Sequence, residues 1–144
     1  MRDDRTLWVM GHKIRPINTD DSYGLVEVTS PPHVPGPPPH YHKNEREFLL
    51  VVKGVLDVMS GGTWQKLSPG GFADLPPKTT HTFINNTEED VVWITGWYPK
   101  GFQRFFEDFG IAAREAGAQQ KSTAPDVIQK VVQRVESYGM YISS

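Results

Sequence analysis

An all-β fold closed by a short helical tail is what this sequence predicts, in the form of a β-sandwich, jelly roll or barrel. Three observations carry the prediction. Between Leu7 and Tyr98 about nine short runs of apolar or β-branched residues are separated by Gly, Pro, Asn and Asp, the pattern of strands joined by tight turns. Six of the twelve prolines fall between Pro31 and Pro39, where neither helix nor central strand can form, because proline lacks the N–H and fixes φ. After Pro99 the apolar period changes from two to about 3.6. With 144 residues the chain is one ordinary domain and can bury a real core.

The elements follow in chain order. Leu7–Ile14 reads as a strand. In Tyr23–Thr29 the residues Tyr23, Leu25, Glu27 and Thr29 alternate with Gly24, Val26 and Val28, a second strand. The PPHVPGPPP stretch has the composition of a linker, but its flanks are too small for two independent cores, so it reads as an extended connection into a strand. Phe48–Val52 is nearly continuous in apolar residues and suits a strand buried on both faces. Gly54 is a turn, then Val55–Met59 runs to the hairpin Gly61-Gly62. Trp64–Leu67 returns, Ser68-Pro69-Gly70-Gly71 turns, and Phe72–Leu75, Thr80–Ile84 and Val91–Tyr98 complete the set. Phe102, Phe105, Phe106 and Phe109 form one helical stripe, read as core or dimer packing ahead of a ligand site, with Gly110 ending the helix or interrupting it. Pro125 suits the first residue of a second helix, Ile128, Val131 or Val132, and Val135 give its stripe, and Gly139 stops it. These boundaries give a β-domain over residues 1–99 and a helical extension over 100–144, one domain overall.

Composition excludes several classes of function. Lys plus Arg number 15 and Asp plus Glu 17, a net charge of −2. No basic excess marks a nucleic-acid partner. No apolar stretch approaches a membrane span, and MRDDRTLW lacks the apolar core of an export signal, so the expectation is a cytoplasmic protein. With no cysteine, disulfides, Cys-ligated zinc, iron–sulfur clusters and thiol catalysis drop out. Five histidines remain, and any metal site must be nitrogen and oxygen.

His40-Tyr41-His42 places two imidazoles on one face of a strand. Alone, such a pair is common on surfaces. Lys43-Asn44-Glu45-Arg46 reads as a turn, and Glu47 opens the apolar run that follows. A carboxylate there needs a partner, a metal or a salt bridge with Arg46 or Lys53. Glu45 competes for the same role, and the strand onset favours Glu47. His81, delivered by the turn Pro76-Pro77-Lys78-Thr79-Thr80, supplies a third nitrogen. Three imidazoles and one carboxylate suit Fe, Ni, Mn, Co, Cu or Zn and leave positions open for water, substrate or dioxygen.

His40-x-His42-x4-Glu47-x6-Gly54 resembles the first motif of the cupin superfamily, and Gly70-x5-Pro76-x-Lys78-x2-His81-x3-Asn85 resembles the second. Val34 and Lys78 stand where those motifs usually carry Gly, at turn positions. The resemblance implies a double-stranded β-helix (jelly-roll) barrel with His40, His42, Glu47 and His81 as ligands of one divalent ion. It also implies Gly54, Gly70 and Pro76 as turn residues, Asn85 as a structural polar residue, and His12 and His33 as bystanders. The PGPPPHYH approach, the GFQRFFEDFG segment and the PDVIQKVVQRVESYGM tail resemble bacterial single-domain cupins described as quercetin 2,3-dioxygenase-like. That resemblance implies a dioxygenase acting on a flavonol or a related small enol or phenol, with Glu47 as ligand and base. Strand parity offers Leu49, Val51 and Phe83 as pocket walls, and Trp93 as a further candidate; the alternative for all four is plain barrel core. The other readings are a non-redox cupin isomerase or lyase, and a small-molecule-binding cupin without catalysis. Expected partners are the substrate, dioxygen and a second copy of the chain in a homodimer, the tail helices covering an edge within one chain or across two.

Overall fold

The computed structural model describes residues 5–143; the first four residues of the MRDDRTLW stretch lie outside them. Met10 (φ 50°) and Gly11 (φ 86°) decide where the first strand begins and ends. These successive left-handed residues make a tight hairpin turn. They split the expected Leu7–Ile14 strand into β1 (Leu7–Val9) and β2 (His12–Ile17), paired with each other. Alternation in β3 (Gly24–Ser30) turns Val26 and Val28 inward.

The proline stretch then runs extended to β4 (His40–His42). It lies against the sheet through a Pro35–Ile84 bridge and a His33 N–H to Asn85 carbonyl bond of 2.8 Å. β5 (Arg46–Lys53) follows. The expectation that this strand is buried on both faces fails: Leu49 and Val51 are buried, but Phe48 and Leu50 are half-exposed and Val52 is exposed. Its outer face simply carries apolar residues where an exposed face is usually polar. β6 (Leu56–Ser60), β7 (Thr63–Leu67), β8 (Phe72–Leu75), β9 (His81–Ile84) and β10 (Val91–Tyr98) lie within a residue of expectation.

The tail holds more than two helices. Phe102 precedes α1 (Arg104–Phe109), β11 (Ile111–Ala112) and α2 (Ala118–Ser122) follow, and α3 (Pro125–Arg134) starts on its proline. A 3-10 turn over Val135–Tyr138 leads to Gly139. Gly139 ends that turn but not the structure, for β12 (Met140–Ile142) comes after it.

Two antiparallel sheets result, ordered β11-β1-β2-β3-β10-β5-β8 and β12-β4-β9-β6-β7. Val26, Val28, Leu49, Val51 and Trp93 from the first meet Leu56, Val58 and Leu67 from the second in one core. Each side chain of this size contributes about 1.5–3 kcal/mol on full burial. This is the jelly-roll barrel that the sequence motifs imply. The tail adds two strands to it, β11 and β12, and the helical stripes find cover by packing Phe102, Phe105, Val131 and Val135 into the same core.

Candidate metal centre

Neighbouring strands deliver four side chains to one point. His40 and His42 sit two apart on β4, so both face inward. His40 is the register partner of His81 on β9. Glu47, near the start of β5, approaches from the other sheet. All four are buried, and one donor atom from each lies within 4.8 Å of the others. They form the one cluster of this kind among the described residues.

The hydrogen bonds orient these rings. His40 Nδ1–H donates to the Pro38 carbonyl at 3.0 Å, and His81 Nδ1–H to the Thr79 carbonyl at 3.0 Å. A donated Nδ1–H leaves Nε2 as the ligating nitrogen, the usual outer-shell device for metal-binding imidazole. Nε2 of His42 and Nε2 of His81 each lie 3.0 Å from Glu47 Oε1, while Thr95 Oγ1 lies 2.7 Å from Glu47 Oε2. His81 thus has an acceptor at both ring nitrogens. Only an imidazolium satisfies both, unless a cation replaces the Nε2 proton. His42 Nδ1 is buried with no hydrogen-bond partner. Three imidazoles and one carboxylate, buried and converging, fit a divalent transition ion.

Electrostatics agree with this geometry. Burial pushes the Glu47 carboxyl up, but the His81 charge and the hydrogen bonds from His42 and His81 outweigh it and hold the group well below the usual carboxylate range. Burial opposes charge on His81, yet Glu47 raises it above the ordinary histidine value. Burial, with His81 and His42 adding to it, lowers His40 to about 3, so that ring stands neutral as a ligand must.

Glu45, the competing acid, serves the tail instead. Its Oε2 accepts the Phe102 N–H at 2.9 Å, and burial raises its carboxyl despite that bond. His33 is exposed and pairs with Glu88 at 2.7 Å. His12 is buried outside the cluster, its Nε2 2.9 Å from the Pro35 carbonyl and its Nδ1 3.0 Å from Ser30 Oγ.

A cavity of about 90 Å³ adjoins the cluster. Leu49, Phe83 and Trp93 line it; Val51 is buried in the barrel core without lining it. Thr95, Trp97 and Met140 line it as well without being expected there from the sequence, while Phe102, Phe105 and Phe106 of the helical stripe, expected as core or dimer packing, line it too. Parity with Trp93 along β10 points to Thr95 and Trp97. The helical stripe offers Phe102 as a ligand-site candidate, and no comparable pattern in the sequence places Met140 there. Among the described residues, no Lys or Arg lines this cavity, and Glu47 is its one acid.

The chain resembles several known proteins. It is 25% identical over 104 residues to "Probable oxidoreductase patJ" of Penicillium expansum, a match covering 58% of this chain and 32% of that one. The chain therefore spans about a third of the length of this curated relative. KdgF from Halomonas sp. superposes with a TM-score of 0.58 at 25% identity, over 62% of this chain and 79% of that one. A sugar phosphate isomerase of the cupin superfamily from Silicibacter pomeroyi superposes with a TM-score of 0.57 at 22% identity, over 61% and 59% of the two chains. The profile of the cupin domain matches residues 26–97, the stretch that runs from the inward valines of β3 through all four converging side chains to Trp97. On fold, on sequence profile and on the donor set alike, this chain belongs to the cupin family.

Proposed function

We propose that the chain is a metal-dependent oxidoreductase of dioxygenase type, acting on a small enol or phenol. One observation carries the reading. The polar side chains of the cavity are the four cluster residues, Thr95, Thr82 and His12, and its other walls are aliphatic and aromatic, with Phe83, Trp93, Trp97 and Phe102 among them. Such walls suit a flat, uncharged ring with one oxygen-bearing edge. A sugar phosphate needs Arg or Lys for its dianion, and the described lining has neither. The weak likeness to a protein named as a probable oxidoreductase leans the same way. At about 90 Å³ the cavity is smaller than an apolar cavity of about 150 Å³ that takes up benzene, which favours one ring over the three of a flavonol.

A divalent ion at the four ligands supplies a Lewis acid and, where redox-active, electrons. The chain's own residues supply position and proton handling. Glu47 is assigned as acceptor of the substrate hydroxyl proton, with Thr95 holding its second oxygen. A charged His81 lowers the basicity of Glu47, and a cation in place of the His81 Nε2 proton would leave that imidazole neutral. Trp93 and Phe83, with ring centroids 4.6 Å apart, form a rigid edge-to-face wall.

The test begins with elemental analysis of protein purified without a metal-affinity tag, with His81→Ala as control. Loss of outer-shell support alone costs about 10–100-fold in metal affinity, so loss of a ligand should cost at least that. Oxygen uptake is then followed with Fe-, Mn-, Ni-, Co- and Cu-loaded protein on single-ring phenols and enols, with a flavonol beside them. Uptake on at least one single-ring substrate is expected. No uptake on any, or equal metal in His81→Ala, sinks the reading. Anaerobic turnover with zinc would instead establish an isomerase or lyase, and tight ligand retention without product a binding protein.

A further inference from the structure

We infer that the C-terminal strand and helix set the size limit for molecules reaching the metal centre. The inference rests on the apolar-substrate reading above and adds the residues that select. β12 lies antiparallel to β4, with Met140 opposite His42 and Ile142 opposite His40. Directly opposed residues share a face of the sheet. Met140 and Ile142 therefore stand on the same face as the two histidines, while Tyr41 and Tyr141 stack at 5.5 Å on the other.

The strand is tied at both ends. The Lys43 N–H donates to the Gly139 carbonyl at 2.9 Å, and the Ser143 N–H to the Pro39 carbonyl at 2.8 Å. The hydroxyls of Ser143 and Thr80 lie 2.9 Å apart, joining the end of the chain to the turn that carries His81. Val131 and Val135 add a second wall from the tail.

Of the residues lining the cavity, only Pro38, Val132 and Ile142 are exposed. They mark its mouth. Two of the three come from the tail, and all are apolar. A molecule reaching the four ligands passes Ile142, 39% exposed, and then rests against Met140, 5% exposed. The cavity holds about 90 Å³, less than an apolar cavity of about 150 Å³ that takes up benzene, so a one-ring molecule fits by small adjustment and a fused two-ring molecule is disfavoured.

Calorimetric binding of phenol and of 2-naphthol to the full chain as purified tests this. Neither has a second hydroxyl with which to chelate an ion, so binding can be read without turnover. Wild type should prefer phenol. Ile142→Ala and Met140→Ala should each shift the preference toward 2-naphthol by about tenfold or more, the low end of what one misfitted methylene costs in an apolar pocket. Ile142→Trp should weaken both ligands, with metal content and far-UV circular dichroism unchanged. If Met140→Ala fails to fold, the two variants at exposed Ile142 still decide. An unmoved ratio in Ile142→Ala, wild-type affinity in Ile142→Trp, or no binding of either ligand to wild type overturns the inference. A shifted ratio without oxygen uptake would leave the size filter standing and remove only the dioxygenase assignment.

Discussion

His12 holds three elements together through one ring. Its Nε2–H donates to the Pro35 carbonyl, which leaves Nδ1 to accept from the Ser30 hydroxyl. Ser30 Oγ in turn accepts the Trp93 indole N–H at 3.0 Å. This network requires a neutral ring, and burial lowers His12 below its ordinary 6.5, the Pro35 bond opposing only in part. A histidine kept neutral in the fold takes up its proton more readily when unfolded. Its contribution to stability is complete above pH 6.5 and is lost as pH falls from there toward the folded value. His81 works in the opposite sense: its raised value adds stability below 6.5, lost as pH rises through the folded value. Comparing wild type with His12→Gln isolates the first effect. The loss of Tm between pH 7 and pH 5 should be smaller in His12→Gln, and an equal loss would show that His12 does not carry the acid sensitivity. The choice between Glu45 and Glu47 also belongs to single residues. Strand onset favoured Glu47, and parity is the reason: it points inward with Leu49, while Glu45 precedes β5 and reaches the Phe102 amide.

The turns between elements show how two departures from the motif pattern are absorbed. Lys78 stands where glycine is usual and still adopts φ 71°. Its N–H donates to the His42 carbonyl at 2.8 Å, which fixes the turn before His81 to the strand of the histidine pair. The left-handed conformation costs a non-glycine residue about 1–2 kcal/mol, of which glycine would return part through its floppier unfolded chain. Lys78→Gly should therefore stabilise by about 1 kcal/mol, a rise of about 2–4 °C in Tm for a chain of this size; a fall in calorimetric Tm would show that the lysine side chain matters more than its backbone. Val34 is the second departure, and the close approach is made two residues on. A Cβ on Gly36 would lie 2.0 Å from the Phe83 carbonyl oxygen, so only glycine lets the proline stretch lie flat on β9. Nothing in a run of prolines announces which neighbour it will touch. The break inside Leu7–Ile14 is masked for a related reason: Gly11 alone reads as a glycine within a strand, and methionine, a poor turn residue by propensity, takes the other left-handed position when β1 pairs with β2.

At the scale of the whole molecule, one patch on the outer face of the larger sheet is left apolar, beside the Arg46–Asp74 ion pair. Phe72 and Val52 are 56% and 49% exposed, and the Phe48 and Phe72 rings stack at 6.0 Å beside them. β8 is the outer strand of that sheet among the described residues, and an outer strand presents one backbone edge for pairing. The homodimer expected from the sequence would cover this surface. Light scattering at micromolar concentration should then give twice the 16.2 kDa chain mass, and Phe72→Glu should give the monomer; a monomeric wild type would leave the face without a second copy. Among the described residues no helix is long and apolar enough to cross a membrane.

The sequence by itself determined the barrel and the donor set. Period-two alternation, turn residues and the spacing of His40, His42, Glu47 and His81 are local properties, readable wherever a strand keeps one face inward. Only the tertiary structure decided where the tail goes and what it does there. Met140 and Ile142 carry no pattern that marks them as cavity residues. Their place beside the histidines comes from β12 pairing with β4 across about 100 residues of chain, a contact between backbones that any short extended segment could in principle make. Long-range pairing of this kind is chosen by the burial it completes, and that sum is settled only when the whole chain is folded.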